Sequence, residues 1–460
     1  MAETPKDSRG PEDRHGFAGA GRASGGVGAI SGPSRQEEWL DEARALLIRS
    51  FGSDYAFPVI ASARGATITD VDGKSYLDFS SGQMCATIGH NHPRIADAIR
   101  GAADRVAHIY SAMVSPEVIT LARRVVELLP APLRKVLFFS TGGESTEAAI
   151  RMAKKATGKW EIVALADSFH GSTGIALSST FMPQRRGGQG PMMPGTHAIF
   201  APNCYRCPLG ETFPSCEFAC ARVGFQMVDG TSVGALAGLI AEPIQSAAGI
   251  VEPPPGYFQV LRDLCRERDM LFIVDEAQTG FGRLGDMWGF DRDGATPDIV
   301  AVSKTLGGGL PLAGTITTAD IEQRAHDAGF WFYTSHLNEP LPTAVGLAVL
   351  DVIAEEKLVD AAREKGAYLK DGLLALKDRH EIIGDVRGRG LLLGVDFVED
   401  RETKKPAVAR AQAITRHCLE HGVFIGSLKG HIWRVAPPMT ITRDEIDRAL
   451  GVVEDALRAQ

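Results

Sequence analysis

The chain has 460 residues, of which 44% are hydrophobic and 23% are charged, and its formal net charge is -8. This composition is typical of a soluble globular protein that is long enough for two or three domains. The acidic balance disfavours nucleic acid as a partner, because phosphate contacts require clustered Lys and Arg. No run of about 18 apolar residues occurs, so we predict no membrane span.

The first segment, residues 1–34, combines Gly, Ser, Pro and charged residues and contains no apolar run that could start a core. It lacks the apolar centre of a secretory signal, and Asp7, Glu12 and Asp13 are unusual in an organelle transit peptide. We therefore predict a disordered tail on a cytoplasmic protein.

The rest of the chain predicts an α/β fold. Between residues 131 and 317, short apolar runs alternate with amphipathic segments, which indicates a mainly parallel sheet flanked by helices. We predict strands at 136–139, 162–165, 236–241, 271–274, 299–302 and 312–316, and helices at 144–155 and 257–268. The flanks carry helices at 36–49 and 443–458 and β-like stretches at 67–70, 76–79 and 394–397. We expect a large domain over 96–343 and a small α+β domain built from 35–95 and 344–460.

Four of the seven cysteines lie close together in the sequence: Cys204, Cys207, Cys216 and Cys220. The first pair has the spacing of metal ligands, but a structural zinc site needs all four thiolates to converge tetrahedrally. The pattern leaves both a zinc site and free loop thiols open, and the metal content is unknown at this stage.

Two buried strands end in residues that are suited to chemistry. Lys304 follows the apolar run 299–302 and precedes three glycines. Loss of hydration at such a position lowers the pKa of an amine toward the range in which it attacks a carbonyl, although a lysine at a strand end also commonly snorkels to solvent. Asp275 follows the run 271–274, where an ionised acid needs a cationic partner such as a pyridinium nitrogen. A helix cap or a metal ligand is the alternative for Asp275.

A third strand, at 136–139, leads into the sequence STGGES at 140–145. Glycines between a strand and a helix allow backbone N–H groups to approach an anion at the helix N-terminus. Phe169 follows the next strand and offers a face on which a planar ring can stack. Each pattern alone is weak, because strand-to-helix turns often contain Gly and aromatic residues often only pack.

Taken together, these motifs resemble the class III, or ω-, aminotransferase family of fold-type I pyridoxal-phosphate enzymes. The resemblance runs from about residue 37 to the C-terminus and includes the motifs GHNHP at 89–93, AEP at 241–243 and DVRGRG at 385–390. It implies that Lys304 forms a Schiff base with pyridoxal 5'-phosphate and that Asp275 pairs with the ring nitrogen. It further implies that the cofactor contacts Gln278 at its phenolic oxygen, Phe169 by stacking, and Thr141, Gly142 and Gly143 at its phosphate.

In this family the active site lies at a subunit interface, so the resemblance implies a homodimer or tetramer. The segment 333–336, YTSH, matches the part of the chain that reaches the partner's phosphate site. Ser335 stands there in place of the usual threonine and keeps the hydroxyl.

Within the family the chain is most similar to the 2,2-dialkylglycine decarboxylases, through DFSSGQM at 78–84 and EAAIRMA at 147–153 among other motifs. This similarity implies decarboxylation of an α,α-dialkyl amino acid, followed by return of the amino group to a 2-oxo acid such as pyruvate. Gln83 would hydrogen-bond the carboxylate held for cleavage, with Met84 beside it; otherwise Gln83 satisfies loop backbone. The alternative function is an ordinary amino acid or amine:2-oxo acid aminotransferase.

Arg434, in WRVAPP at 433–438, matches the family's substrate-carboxylate arginine, and guanidinium suits bidentate recognition. Ala247 stands where other branches carry a glutamate that pairs with this arginine, so an ω-amino-acid substrate is disfavoured. Ala247 and Phe169 also depart from the serine and tryptophan of the decarboxylases. An alkali-ion site of those enzymes would map to Ser111, Ser335 and Glu339, with Glu339 in place of an aspartate.

Overall fold

A computed structural model describes residues 34–50 and 55–460 of the chain. The predicted tail, apart from Ser34, lies outside the described residues. Within the described part, no helix is both long enough and apolar enough to cross a membrane. The α-helices of this part are α1 (Arg35–Leu46), α2 (Ser81–Met84), α3 (Pro93–Ala103), α4 (Pro116–Glu127), α5 (Gly142–Thr157), α6 (Gly174–Ser178), α7 (Pro183–Arg186), α8 (Ala219–Thr231), α9 (Tyr257–Arg266), α10 (Ala319–Asp327), α11 (Pro340–Glu355), α12 (Leu358–Arg379), α13 (Val408–Glu420) and α14 (Arg443–Arg458).

Within residues 34–50 and 55–460 the strands form three sheets, and two short 3-10 helices span Gly289–Asp293 and Lys304–Gly307. The strands are β1 (Ile60–Arg64), β2 (Thr67–Asp70), β3 (Ser75–Asp78), β4 (Leu133–Phe139), β5 (Glu161–Leu165), β6 (Thr196–Ile199), β7 (Leu236–Ala241), β8 (Leu271–Asp275), β9 (Ile299–Val302), β10 (Ala313–Thr318), β11 (Ile383–Arg389), β12 (Leu392–Phe397), β13 (Val423–Phe424), β14 (Gly426–Leu428) and β15 (Ile432–Val435).

The seven-stranded central sheet has the order β4-β10-β9-β8-β7-β5-β6. The pairs from β9 to β6 are parallel, whereas β10 is antiparallel to both of its neighbours. The link between β9 and β10, residues 303–312, is shorter than the dozen or so residues that a parallel crossover needs. The mainly parallel α/β fold is thus confirmed. Sequence periodicity missed β6, whose four residues mix polar and apolar side chains.

Helix α5 shows how local sequence positions the site. Thr141 caps its N-terminus by accepting a hydrogen bond from the Glu144 N–H, and the Glu144 carboxylate accepts one from the Thr141 N–H. Gly158, at φ 69°, ends the helix. Eight of its residues are buried, and it packs against β7, β8, β9 and β10 of the central sheet. The helix N-terminus is therefore fixed at the carboxyl edge of the parallel strands.

The two smaller sheets have the orders β1-β2-β3-β13 and β11-β12-β15-β14. Strand β13, from the C-terminal part of the chain, pairs in parallel with β3 from the N-terminal part. The two ends of the chain thus share one sheet, as expected for the small α+β part of the fold. The exact domain boundaries at 35–95, 96–343 and 344–460 stay predictions.

Candidate active site

Lys304 lies where β9 ends, at the carboxyl edge of the central sheet. Its backbone is left-handed, with φ 44°, and it begins the 3-10 turn that follows the strand. Burial lowers the pKa of the Lys304 amine, and the nearby carboxylate of Asp275 opposes that shift. Because a lowered pKa increases the neutral fraction, the amine is prepared for attack on a carbonyl.

Asp275 ends the neighbouring strand β8 and is 4% exposed. Its Oδ1 accepts a hydrogen bond from the Ala277 N–H at 3.0 Å, and its Oδ2 lies 2.8 Å from Nδ1 of His170. Among the described residues, Asp275 has no Lys or Arg within ion-pair distance. A buried acid whose side-chain partner is an imidazole and whose other partner is a backbone N–H is electrostatically suited to a further cation, such as a protonated ring nitrogen.

Gln278 follows β8 and has an unpaired side chain. Its side-chain carbonyl Oε1 is buried and accepts no hydrogen bond in the described structure. Because nearly all buried polar atoms in proteins have a partner, an amide side chain left unpaired beside the strand of Lys304 is available to a bound group.

The turn before α5 forms a cradle at the same edge of the sheet. A Cβ atom added at Gly142 would lie 3.1 Å from both Cβ and Oγ of Ser303, the residue before Lys304. The N–H groups of Gly142 and Gly143 belong to the first helical turn, whose donors have no intrahelical acceptor. These donors and the helix dipole suit an anion such as a phosphate.

Phe169 is held in place by a buried carboxylate that sequence reasoning did not assign. Oε1 of Glu242 accepts a hydrogen bond from the Phe169 N–H at 3.0 Å, and Oε2 accepts one from the Ser246 N–H at 3.3 Å. Burial raises the pKa of Glu242 to about 7, and the charge of His170 opposes this. Glu242 therefore links the loop that carries the aromatic ring to the loop that carries Ala247.

Gln83 and Met84 lie in a strained loop around α2. Left-handed φ angles occur at Ser81 (47°), Gly82 (62°) and Met84 (58°), and Asp78 anchors the loop by accepting hydrogen bonds from the N–H groups of Ser80 and Gly82. Met84 is buried, whereas Gln83 is exposed and its side chain makes no hydrogen bond within the described residues. The alternative that Gln83 satisfies loop backbone is therefore not what the structure shows.

Arg434, on β15, is 9% exposed and its Nε has no acceptor. No carboxylate of the described residues pairs with its guanidinium. Burial, reinforced by the positive charge of Arg185, lowers the pKa of Arg434 to about 10. Its charge also lowers the pKa of the Lys304 amine, so the two groups lie near each other. A buried cation without a partner is costly unless an anion binds to it.

Ser335 is exposed and does not contribute to the cluster around its own chain's Lys304. Its carbonyl accepts a hydrogen bond from Ser111 Oγ at 3.3 Å, so two of the three mapped alkali-ion residues do meet. The third, Glu339, is engaged by imidazoles: its Oε1 lies 2.5 Å from Nδ1 of His108 and 2.9 Å from Nδ1 of His336. An alkali ion remains a prediction.

The four cysteines of the 204–220 loop are free and line one common pocket with Phe213 and Pro254. No three of their sulfur atoms lie within 4.8 Å of one another; across the described ranges, the one group that meets this criterion is His108, His336 and Glu339. The structure therefore favours loop thiols over a preformed zinc site, which requires sulfur atoms at tetrahedral spacing.

Sequence reasoning missed three groups that border the pocket: His170, Glu242 and Cys85. His170 follows Phe169 in the sequence and Glu242 lies in the AEP motif, but nothing in the sequence shows that they contact Asp275 and Phe169. The pKa of the Cys85 thiol, beside Met84, is raised by burial, and the charge of Lys304 opposes this. These contacts join segments that are distant in the sequence, so only the three-dimensional structure shows them.

The central sheet, the lysine and acid at adjacent strand ends and the anion cradle define a fold-type I pyridoxal-phosphate enzyme. The comparisons agree. Residues 50–457 match the family described as "Aminotransferase class-III", and the chain belongs to this family, whose members use pyridoxal phosphate. It is an aminotransferase-type enzyme.

Three similar proteins illustrate the relationship. The chain is 43% identical to "Uncharacterized aminotransferase C1039.07c" of Schizosaccharomyces pombe, covering 91% of this chain and 94% of that protein. It is 33% identical to "Leucine/methionine racemase" of Thermococcus litoralis, covering 92% and 96%. A solved (S)-enantioselective ω-transaminase from Thermomicrobium roseum has a TM-score of 0.87 at 30% identity, covering 93% and 99%. None of these supports the particular similarity to dialkylglycine decarboxylases.

Proposed function

We propose that the protein is an aminotransferase that moves an amino group between an α-amino acid and a 2-oxo acid. The observation that carries the proposal is Arg434, a buried guanidinium without an anionic partner in the described structure, close enough to Lys304 for its charge to act on the amine. A substrate carboxylate would provide the missing partner through a bidentate ion pair. The family and the relatives reported above support this function over decarboxylation.

The residues divide the work as follows. Pyridoxal phosphate, when bound, accepts the amino group and withdraws electrons from the bonds at the substrate Cα. Thr141, Gly142 and Gly143 would hold its phosphate, Phe169 would cover its ring, Gln278 would donate to its phenolic oxygen, and Asp275, oriented by His170, would keep its ring nitrogen protonated. Lys304 would bind the cofactor covalently and then, as a free amine, move the proton at Cα.

Decarboxylation of α,α-dialkyl amino acids is the second candidate. It requires the site to hold the substrate carboxylate where the bound cofactor would take up the electrons of its bond to Cα, so that CO₂ would be released. Gln83 favours this reaction, because its exposed side-chain amide is not engaged by another described residue and can donate a hydrogen bond to such a carboxylate.

One experiment separates the two reactions. The enzyme is incubated with pyruvate and either 2-aminoisobutyrate or an amino acid that carries an α-hydrogen. Alanine formed only from the second donor supports transamination, whereas acetone and CO₂ from 2-aminoisobutyrate support decarboxylation. Chiral analysis of the recovered donor tests for racemisation, the activity named for one relative.

The cofactor assignment has its own test. The native protein supplied with pyridoxal phosphate should absorb near about 410–430 nm, and Lys304→Ala should abolish this band. A native protein that never shows the band would contradict the proposal, whatever the substrate.

We also propose that a second copy of the chain completes the site. Large apolar side chains stand exposed on two adjoining segments, 110–114 and 331–333, including Trp331 at 76% and Tyr110 at 64%. Ser111 Oγ donates a hydrogen bond to the Thr334 carbonyl, which holds the segments together. Exposed patches of this kind mark association surfaces. Trp331→Ser should shift the protein toward the monomer in light scattering; an unchanged mass would argue against this surface.

A further inference from the structure

Two imidazoles and a carboxylate converge at a place that none of the cofactor or substrate assignments uses. His108 stands between α3 and α4, whereas His336 and Glu339 stand in the segment that leads into α11. Oε1 of Glu339 lies 2.5 Å from Nδ1 of His108 and 2.9 Å from Nδ1 of His336. One ligand atom of each residue lies within 4.8 Å of those of the other two, although 231 residues of sequence separate His108 from Glu339.

The backbone on both sides of this cluster is already held in place. The Asn338 N–H donates to the Phe138 carbonyl at 3.2 Å, and the Asn338 side-chain carbonyl accepts from the Phe138 N–H at 3.1 Å. Ser111 Oγ donates to the Thr334 carbonyl at 3.1 Å, which joins the two segments. Glu339 is the N-cap residue of α11, but its side chain does not cap that helix. Its carboxylate faces the imidazoles instead.

The surroundings of Glu339 lack a full positive charge. The residue is buried, and within residues 34–50 and 55–460 its ion-pair partners are the two histidines, with no Lys or Arg among them. Neutral imidazoles supply hydrogen bonds but no charge, and a buried carboxylate is costly without a cation. The side chains of His108 and His336 are 57% and 62% exposed, so solvent reaches the cluster from their side.

We propose that His108, His336 and Glu339 bind a divalent transition-metal ion such as Zn²⁺, with water as a further ligand. Imidazole suits Zn²⁺ and Ni²⁺, whereas hard cations prefer oxygen ligands. Each neutral imidazole would carry its proton on Nε2 and coordinate through Nδ1. Zn–N and Zn–O distances of about 2.0–2.2 Å place tetrahedral ligand atoms about 3.3 Å apart, so the observed spacings need to widen by less than about 1 Å. The exposed imidazoles can move that far.

The role of this ion is structural, because it would join the segments 108–111 and 334–339. It differs from the predicted alkali-ion site, of whose three residues only Glu339 takes part. The inference does not depend on which reaction the enzyme catalyses.

Calorimetric titration with ZnCl₂ tests the site. Untagged, cofactor-loaded enzyme is first dialysed against a chelator and then against a buffer free of phosphate. Because loss of a residue that merely supports a ligand costs about 10–100-fold in metal affinity, His336→Ala should raise the Kd for Zn²⁺ about 100-fold or more. Zn²⁺ should raise the Tm of the native protein by mass action and leave that of the variant unchanged. Glu339→Gln keeps the size of the buried side chain and should lose Zn²⁺ binding in the same way.

Two control variants separate this site from other metal-binding groups of the chain. Cys207→Ser removes a thiol of the 204–220 loop, and His417→Ala breaks the exposed pair on α13 in which His417 and His421 stack at 4.0 Å. Both variants should retain the Zn²⁺ site that His336→Ala removes. The comparison is repeated in the Cys207→Ser background, where one Zn²⁺ per chain should still depend on His336.

Three results would overturn the proposal. The first is equal Zn²⁺ affinity in the native protein and His336→Ala. The second is binding that Cys207→Ser abolishes and His336→Ala preserves, which would assign the metal to the thiols. The third is a Tm that rises with KCl but not with ZnCl₂ and that loses this response in Glu339→Gln, which would assign the site to an alkali ion.

Discussion

Two buried arginines with opposite surroundings make a sharp test of the site. Burial lowers the pKa of both Arg434 and Arg283 to about 10. Arg283 is 1% exposed and donates hydrogen bonds to the carbonyls of Leu391 and Pro437, whereas Arg434 has no acceptor on its Nε. We predict that Arg434→Met stabilises the protein and that Arg283→Met destabilises it.

The magnitude follows from the lowered pKa. For Arg434, the lowered pKa corresponds to a free-energy cost of about 3 kcal/mol for keeping the guanidinium charged in the folded protein. This free-energy cost is fully present at pH 7. It decreases only when the pH rises above the pKa of Arg434 in the folded protein, about 10, because the guanidinium then loses its proton. Lost packing offsets part of the gain, so we expect Tm to rise by about 1–3 °C for a chain of this size. Arg283→Met leaves two buried carbonyls unpaired, each costing about 1–3 kcal/mol.

The assay is calorimetry of the cofactor-loaded protein in a buffer free of carboxylates and phosphate. Adding pentanoate should raise the Tm of the native protein through mass action and leave that of Arg434→Met unchanged. The reasoning fails if Arg434→Met lowers Tm as Arg283→Met does, since Arg434 would then have a structural partner. It fails equally if pentanoate stabilises the variant as much as the native protein.

Four further variants address the cofactor, the stability of the site and the reaction. Gly142→Ala should weaken pyridoxal-phosphate binding about 10-fold in a fluorescence titration, because its Cβ would press on Ser303, whereas Gly143→Ala, with 3.9 Å to its nearest neighbour, should bind almost normally. The pKa of Glu242 is about 7 in the folded protein, above its unfolded value, so Glu242 binds more protons when folded. Its contribution to stability is therefore lost as the pH rises from about 4.5 to 7, and the Tm falls over that range. Glu242→Gln should make this fall in Tm smaller. Gln83→Ala should abolish any CO₂ release from 2-aminoisobutyrate and change transamination less than about 3-fold; equal losses would remove Gln83 from the choice of bond.

The sequence predicted best the strands that are buried on both faces. The strands β7 and β9 have the predicted bounds, because a strand covered on both faces is written as an unbroken apolar run. Lys304 and Asp275 were identifiable for the same reason, since Asp275 directly follows such a run and Lys304 follows one after Ser303. Adjacent parallel strands then bring both side chains to one edge of the sheet.

The remaining features depend on contacts between distant segments. His170 and Asp275 are in contact although 105 residues separate them in the sequence, and Glu242 and Phe169 are in contact across a separation of 73 residues. The antiparallel direction of β10 follows from the length of a loop and not from its own composition. The cysteine spacing suggested a metal, but whether four sulfur atoms converge depends on side-chain directions that spacing does not determine.

The environment of Arg434 bears directly on which bond at Cα breaks. A carboxylate in a buried ion pair with guanidinium is stabilised as an anion, and loss of CO₂ would disperse the charge that the pair stabilises. Decarboxylation therefore requires the carboxylate to leave Arg434 for a neutral donor, and the unpaired side-chain amide of Gln83 is such a donor. Transamination requires no such exchange, because the carboxylate stays on Arg434 while Lys304 moves the proton. Because Arg434 is buried and has no carboxylate partner in the part of the chain that the structure describes, the site is electrostatically better suited to keeping the carboxylate than to releasing it.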